Sequence, residues 1–251
     1  MKENSMNLQQ YADYLVDWLE KQRDFYRAKG YVIGISGGID SAVAVSLLMK
    51  TGAPVQGLIL PSETTAKQDI IDAYAVAESA GCPVMEVPII DTYRTFMQSA
   101  KPLFRDDAER QNVIAGNVQA RLRMITLYAC AQNQQAIVVG TDNAAEWHTG
   151  YFTKFGDGGV DVVPLVQLRK EQVFALGRLL GVPQAILEKA PSAGLWQGQT
   201  DEDEMGVSYA EIDAFLRGEP VSEQAQKQID FWHNRSHHKR MLAPAPEKLC
   251  E

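Results

Sequence analysis

Residues Gly34-Ile35-Ser36-Gly37-Gly38-Ile39-Asp40-Ser41 bring two hydroxyls, adjacent glycines and one carboxylate together. An apolar run, Tyr31 to Ile35, leads in and reads as a buried strand; Ala42 to Met49 leads out and reads as a helix. Glycines at the junction let the backbone approach a ligand closely. The helix start adds unpaired N–H groups and the positive end of its dipole, so the pattern predicts a phosphate cradle. It has no Walker lysine and lacks the dinucleotide spacing G-x-G-x-x-G. Neutralising phosphates would then fall to N–H groups, Ser36, Ser41 and a metal held by Asp40. A capping aspartate, worth about 1 kcal/mol, is the alternative for Asp40; the complete S-G-G-x-D-S after a strand favours the ATP role.

The elements around the loop alternate as βαβ units do. Leu8, Tyr11, Leu15, Trp18 and Leu19 predict an amphipathic helix, with Gly30 as its C′ residue. Strands are expected at 55–60, 84–90 and 136–140, and a short fifth at 162–165. Helices are expected at 69–80, 92–100, 112–131, 170–180 and 183–189, with two more between Tyr209 and Arg235. This is an α/β fold, a doubly wound parallel sheet of about five strands flanked by helices. In such a sheet ligands sit at the carboxyl ends of the strands, so Thr141, Asp142 and Glu146 should face the crevice of the Gly34–Ser41 loop. Segment 191–206 has no period and reads equally as a lid or a solvated linker.

Composition narrows the class. The 251 residues, 45% hydrophobic, are ample for one domain. A net charge of −8 argues against non-specific nucleic-acid binding. Cys82, Cys130 and Cys250 are far apart and odd in number, which argues against a disulfide framework or a zinc site and fits a reducing cytosol. Neither a secretory signal nor a membrane span is visible, so a cytoplasmic location is expected.

The Gly34–Ser41 loop resembles the pyrophosphate loop of the ATP pyrophosphatases, of the adenine nucleotide alpha hydrolase-like fold. These enzymes adenylate an oxygen and then let a nitrogen or sulfur nucleophile displace AMP. Four further segments narrow the resemblance: "AGNVQARLRM", "GTDNAAEWHTGYFTKFGDGGVDVVPL", "APSAGLWQGQTDEDEMG" and the terminal "HHKR". Together they resemble the ammonia-dependent NAD synthetases over nearly the whole chain. The resemblance implies deamido-NAD, ATP and ammonia as substrates, with AMP and pyrophosphate released.

It also implies roles. Gly34, Ile35, Ser36, Gly37, Gly38, Ile39, Asp40, Ser41, Thr141, Lys170 and Ser192 would contact ATP. Asp40 and Glu146 would hold Mg2+. Arg121, Lys154, Asp161, His238 and Lys239 would bind deamido-NAD, with His237 an alternative to His238. Asp157 is either a turn aspartate or the catalytic base that takes a proton from ammonium. His148 and His233 read as structural. The family is homodimeric, and helices 8–29 and 112–131 are the expected interface. Residues 1–251 would form one domain without a glutaminase unit, because no cysteine sits in a nucleophile segment. Competing readings are another member of the loop family, of the GMP synthetase or thiolating kind, and a non-catalytic ATP-binding module; paired Asp40 and Glu146 argue against the latter.

Overall fold

The computed structural model describes residues 7–104, 108–190 and 200–247. In chain order the elements are α1 (Leu8–Phe25), β1 (Tyr31–Gly34), α2 (Ile39–Lys50), β2 (Val55–Ile59), α3 (Lys67–Ala80), β3 (Val84–Glu86), α4 (Ile90–Ala100), α5 (Ala108–Gln134), β4 (Ile137–Val139), α6 (Ala144–Thr149), α7 (Lys170–Leu179), α8 (Gln184–Leu187), α9 (Asp201–Met205), α10 (Tyr209–Leu216) and α11 (Glu223–Arg235).

The four strands form one sheet in the order β3-β2-β1-β4, every neighbour parallel. Alternate strand residues divide the core. Tyr31, Ile33, Val55, Ile59, Ile137 and Val139 pack with α1, α2, α3 and α7. Val32, Leu58 and Val138 pack under α5 on the other face. The sheet is therefore covered on both sides, which is why its strands read as continuous apolar runs. Helix α2 is the most deeply set: Ala42, Val43, Ala44, Val45, Leu47 and Leu48 are all buried. Leu47 is fully buried, so Leu47→Ala should cost about 2–5 kcal/mol. A satellite cluster joins α6, α9, α10 and α11 through Ala145, Met205, Tyr209, Ile212 and Ile229.

Three expectations change. The fifth strand shrinks to one parallel bridge, Val162 to Val139; Pro164 next to it has no N–H for a ladder. Strand β3 ends at Glu86 rather than near Ile90: Val87 and Ile89 still donate to Ile59 and Pro61, but Pro88 interrupts the run. Gly30 does not cap α1, which ends at Phe25 with Tyr26 as C-cap. Gly30 is needed because a Cβ there would collide with the Pro54 carbonyl. Within 191–206, the acidic run Asp201–Met205 is a helix capped by Thr200, whose hydroxyl accepts from the Asp203 N–H. The lid expectation itself falls on 191–199, outside the described residues.

Candidate active site

Strand β1 has β2 on one side and β4 on the other, so the chain's path across the sheet reverses between β1 and β4. Ligands of open α/β sheets bind at that switch point. The loop after β1 and the segment 140–143 after β4 meet there.

The loop is held by its own hydroxyls. Ser41 Oγ donates to the Gly38 carbonyl at 3.0 Å and lies 3.2 Å from Ser36 Oγ. Gly37 adopts φ +77°, and a Cβ there would press on Asp69 O and the Ala73 N–H. Gly38 is the N-cap of α2 and makes no side-chain cap bond. Asp40 lies in the first turn. It does not cap the helix; its carboxylate points to the β4 side of the crevice, where Asn143 Nδ2 donates to Oδ1 at 3.0 Å.

Asn143 and Glu146 form a reciprocal capping box at α6. The Asn143 side chain accepts from Ala145 and Glu146 N–H, and Glu146 Oε2 accepts from Asn143 N–H at 3.0 Å. One asparagine thus fixes both expected metal carboxylates. Lys170, first residue of α7, completes the node: its Nζ donates to Asp40 Oδ2 at 2.6 Å and to Glu146 Oε1 at 3.3 Å. Its side chain is 4% exposed. Lys170 was expected on ATP phosphate; here it bridges the two carboxylates instead.

The electrostatics follow from that burial. Desolvation lowers the affinity of Lys170 for its proton, but Asp40 and Glu146 outweigh it and hold the ammonium charged. Glu146 is pushed up to about 7, mainly by desolvation, with Lys170 opposing and Asp40 adding to the rise. Tyr209 Oη lies 3.1 Å from Glu146 Oε1 and 3.0 Å from Asp201 Oδ2. A single phenolic proton between two carboxyl oxygens leaves room for one more proton on that pair. Asp142, directly before Asn143, is 5% exposed, and its Oδ2 has no hydrogen-bond partner. Desolvation, then the charge of Asp157, raises it well above the carboxylate range. Asp157 Oδ1 accepts from the Thr153 N–H at 3.0 Å. The residue is exposed, yet crowding around its carboxyl raises its pKa by desolvation.

The residues expected to hold the dinucleotide are differently employed. Lys154 Nζ donates to the His238 carbonyl at 2.6 Å. Lys239 Nζ donates to Gly150 O and Phe152 O, at 2.7 and 2.6 Å. Asp161 accepts from Tyr128 Oη and from the Val138 N–H, at 3.1 and 2.7 Å. Arg121 is exposed and donates to Lys154 O at 3.3 Å. The His238 side chain is exposed, and Thr141 is half-buried. Lys154, Lys239 and Asp161 thus make scaffold contacts. Ser192 and Cys250 lie outside the described residues. His148 and His233 stack at 4.3 Å between α6 and α11, in keeping with a structural role.

Sequence reasoning missed Asn143, Tyr209 and Asp201 as site residues. The N-x-x-E spacing of Asn143 and Glu146 is a readable cap signal; the contacts of Tyr209 and Asp201 are long-range and leave no local trace.

Among the described residues no three His, Cys, Asp or Glu side chains converge as a metal cage. The pair Asp40 and Glu146 still suits magnesium, which takes one or two carboxylates and completes its shell with water and substrate phosphates. Lys170 shows that a cation can sit between them.

The NAD synthase family model matches residues 11–243. The curated NH(3)-dependent NAD(+) synthetase of Mannheimia succiniciproducens is 62% identical over 242 residues, covering 96% of this chain and 97% of that protein. A solved structure described as NMN synthetase from Francisella tularensis is 54% identical, with TM-score 0.93 over 97% of this chain and 100% of that one. A NAD+ synthetase from Burkholderia pseudomallei is 31% identical, with TM-score 0.77 over 94% and 91%. By the residues it matches and by these near full-length relatives, the chain belongs to the NAD synthase family.

Proposed function

We propose that the chain uses ATP to activate the carboxylate of deamido-NAD and converts it to the carboxamide with ammonia, releasing NAD, AMP and pyrophosphate. The observation that carries this reading is the Asp40–Lys170–Glu146 node beside the phosphate loop. A carboxylate does not yield to ammonia unaided, because its leaving oxygen is too basic; adenylation turns that oxygen into part of AMP. The chain's tasks are to hold two anions together, stabilise charge on the leaving pyrophosphate and exclude water from the anhydride. Loop N–H groups, Ser36 and Ser41 take the phosphates. Asp40 and Glu146 would hold Mg2+, which supplies Lewis-acid neutralisation of phosphate charge when bound. Lys170 then leaves the carboxylates and its ammonium turns to phosphate, which reconciles its present partners with an ATP role.

Ammonia, not glutamine, is the expected donor. Cys82 is buried and Cys130 lies within α5, and burial holds both thiols above the ordinary range. Neither is placed as a glutaminase nucleophile. The test is product formation from deamido-NAD, ATP and ammonium salts. AMP release without NAD, or NAD from glutamine alone, would refute the reading.

A second reading takes nicotinate mononucleotide as the acid and gives NMN. It is favoured by the 54% identical NMN synthetase and by the internal employment of Lys154, Lys239 and Asp161. Both acids present the same nicotinate and differ only in the adenylate half. Comparing kcat/KM for the two acids decides between them.

The homodimer is also a proposal. Phe96 on α4 and Val113 and Ile125 on α5 are exposed, and α4 and α5 border a cavity of about 480 Å³ lined by Tyr93, Met97, Phe104 and Ile114. Sedimentation would test it. No helix among the described residues is long and apolar enough to cross a membrane. The free cysteines suit the reducing cytoplasm expected above.

A further inference from the structure

A lysine stands behind the phosphate loop rather than within it. Lys189 lies just past the end of α8 and reaches both α3 and the loop. Its Nζ donates to Asp69 Oδ1 at 2.7 Å and to Asp72 Oδ2 at 2.6 Å, and lies 3.5 Å from the Gly37 carbonyl oxygen. Desolvation works against that charge, but the two carboxylates outweigh it and keep the ammonium protonated. Among the described residues no other donor comes within hydrogen-bond distance of Gly37 O.

The Gly37–Gly38 peptide is trans, so its oxygen and its N–H point in opposite directions. The oxygen faces Lys189. The N–H donates to Ser36 Oγ at 3.3 Å, on the side of the loop where Ser36 Oγ and Ser41 Oγ lie 3.2 Å apart. That is the side a phosphate would occupy. With glycine before and after the peptide, no Cβ opposes its rotation by half a turn. The rotated peptide would present a carbonyl oxygen to the anion. Gly37 itself rests on α3: at φ +77° its missing Cβ would press on Asp69 O and Asp72 Cβ. A cation on the oxygen side therefore fixes the orientation that α3 supports, and by polarising the peptide makes its N–H a better donor.

Resting on the function proposed above, we propose that Lys189 is a positioning residue that holds the Gly37–Gly38 peptide with its N–H toward the leaving pyrophosphate. It acts on that anion through the peptide, without touching it. One ammonium beside two carboxylates leaves the trio negative, so it offers an anion orientation of the loop and no long-range attraction.

The experiment measures three quantities on the whole chain: calorimetric binding of magnesium pyrophosphate, nicotinate-dependent exchange of pyrophosphate into ATP, and the amide 15N resonance of Gly38. Lys189→Met removes the cation. Asp69→Asn breaks one ion pair and leaves Asp72 to hold the ammonium at Gly37 O. Lys189→Gln is the second variant should the first fail to fold. The Lys189 variants are expected to bind pyrophosphate about tenfold or more weakly, to lose at least as much in exchange, and to displace the Gly38 resonance. Asp69→Asn should stay within about twofold of the parent in binding and exchange. Unchanged pyrophosphate affinity in a folded Lys189 variant, or losses of equal size in Asp69→Asn, would overturn the positioning role and leave Lys189 a strut between α3 and the end of α8. A parent chain that binds pyrophosphate without nicotinate-dependent exchange would overturn the function itself, an outcome read separately from the variants.

Discussion

The crevice has two halves that use charge in opposite ways. On the phosphate side, carboxylates and cation are spent on one another: Lys170 lies between Asp40 and Glu146, and Asn143 holds both acids. Across the crevice, the cations are spent on backbone carbonyls, Lys154 on His238 O and Lys239 on Gly150 O and Phe152 O. The acids there are held by neutral donors, Asp161 by Tyr128 Oη and the Val138 N–H and Asp157 by the Thr153 N–H, while Asp142 keeps an unpartnered oxygen. One half holds its cation between two carboxylates; the other sets its cations on backbone carbonyls. Side chains of the same types thus serve as exchangeable ligands in one place and as straps in the other, and partner identity decides which.

That contrast can be broken residue by residue. The largest effect is expected at Asp40. Asp40→Asn should fold normally and lose about 10²–10³-fold in AMP release, the range for removing one electrostatic stabiliser. Turnover near the parent rate with magnesium-ATP would remove Asp40 from the metal site. Next is Lys170→Met, which leaves two acids facing each other in a buried site. Metal-free stability should fall by about 3 kcal/mol, and magnesium should recover more in the variant than in the parent. Melting with and without magnesium reads this; equal magnesium responses would end the exchange idea.

The opposite half should respond through folding. Lys239→Met gives up two charge-assisted bonds to carbonyls, and a loss of about 2 kcal/mol in urea unfolding is expected. A variant of unchanged stability whose KM for the nicotinate substrate rises tenfold would make Lys239 a ligand rather than a strap.

The smallest effect lies behind the phosphate loop, where Lys189 Nζ pairs with Asp69 and Asp72 at 2.7 and 2.6 Å and lies 3.5 Å from Gly37 O. Burial raises the Asp72 pKa, but hydrogen bonds from Lys189 and Gln68 outweigh it and hold it below the ordinary aspartate value. The folded chain then holds fewer protons than the unfolded one, so this stability is present above pH 3.8 and lost as pH falls through the lower folded value. Asp72→Asn should cost about 1 kcal/mol at neutral pH, and its unfolding midpoint should converge with the parent's in acid. Parallel pH curves would contradict the pairing.

Where signals were local, the sequence was legible. The turn from β1 into α2 was readable because an apolar run, paired glycines and a second apolar run each act over a few residues. Glu146 was flagged through its matching segment; its cap, Asn143, was missed although the N-x-x-E spacing is a local signal. The fifth strand was overread because the apolar stretch 162–165 hid the effect of Pro164. Gly30 looked like a helix stop, but its cause is Pro54, 24 residues on. The acidic run at 201–204 showed no period, since a helix of five residues capped by Thr200 is too short to display one. Lys170 was expected at phosphate only through the family resemblance; its partners lie on α2 and α6, far away in sequence, and nothing local reveals that they meet.

The most direct test follows one oxygen. With the nicotinate carboxylate labelled with 18O and the amide formed from ammonium, the leaving carboxylate oxygen should appear in the phosphate of AMP, with none in pyrophosphate. Label in pyrophosphate, or unlabelled AMP alongside labelled water, would contradict adenylation of the carboxylate and with it the chemistry assigned to the whole crevice.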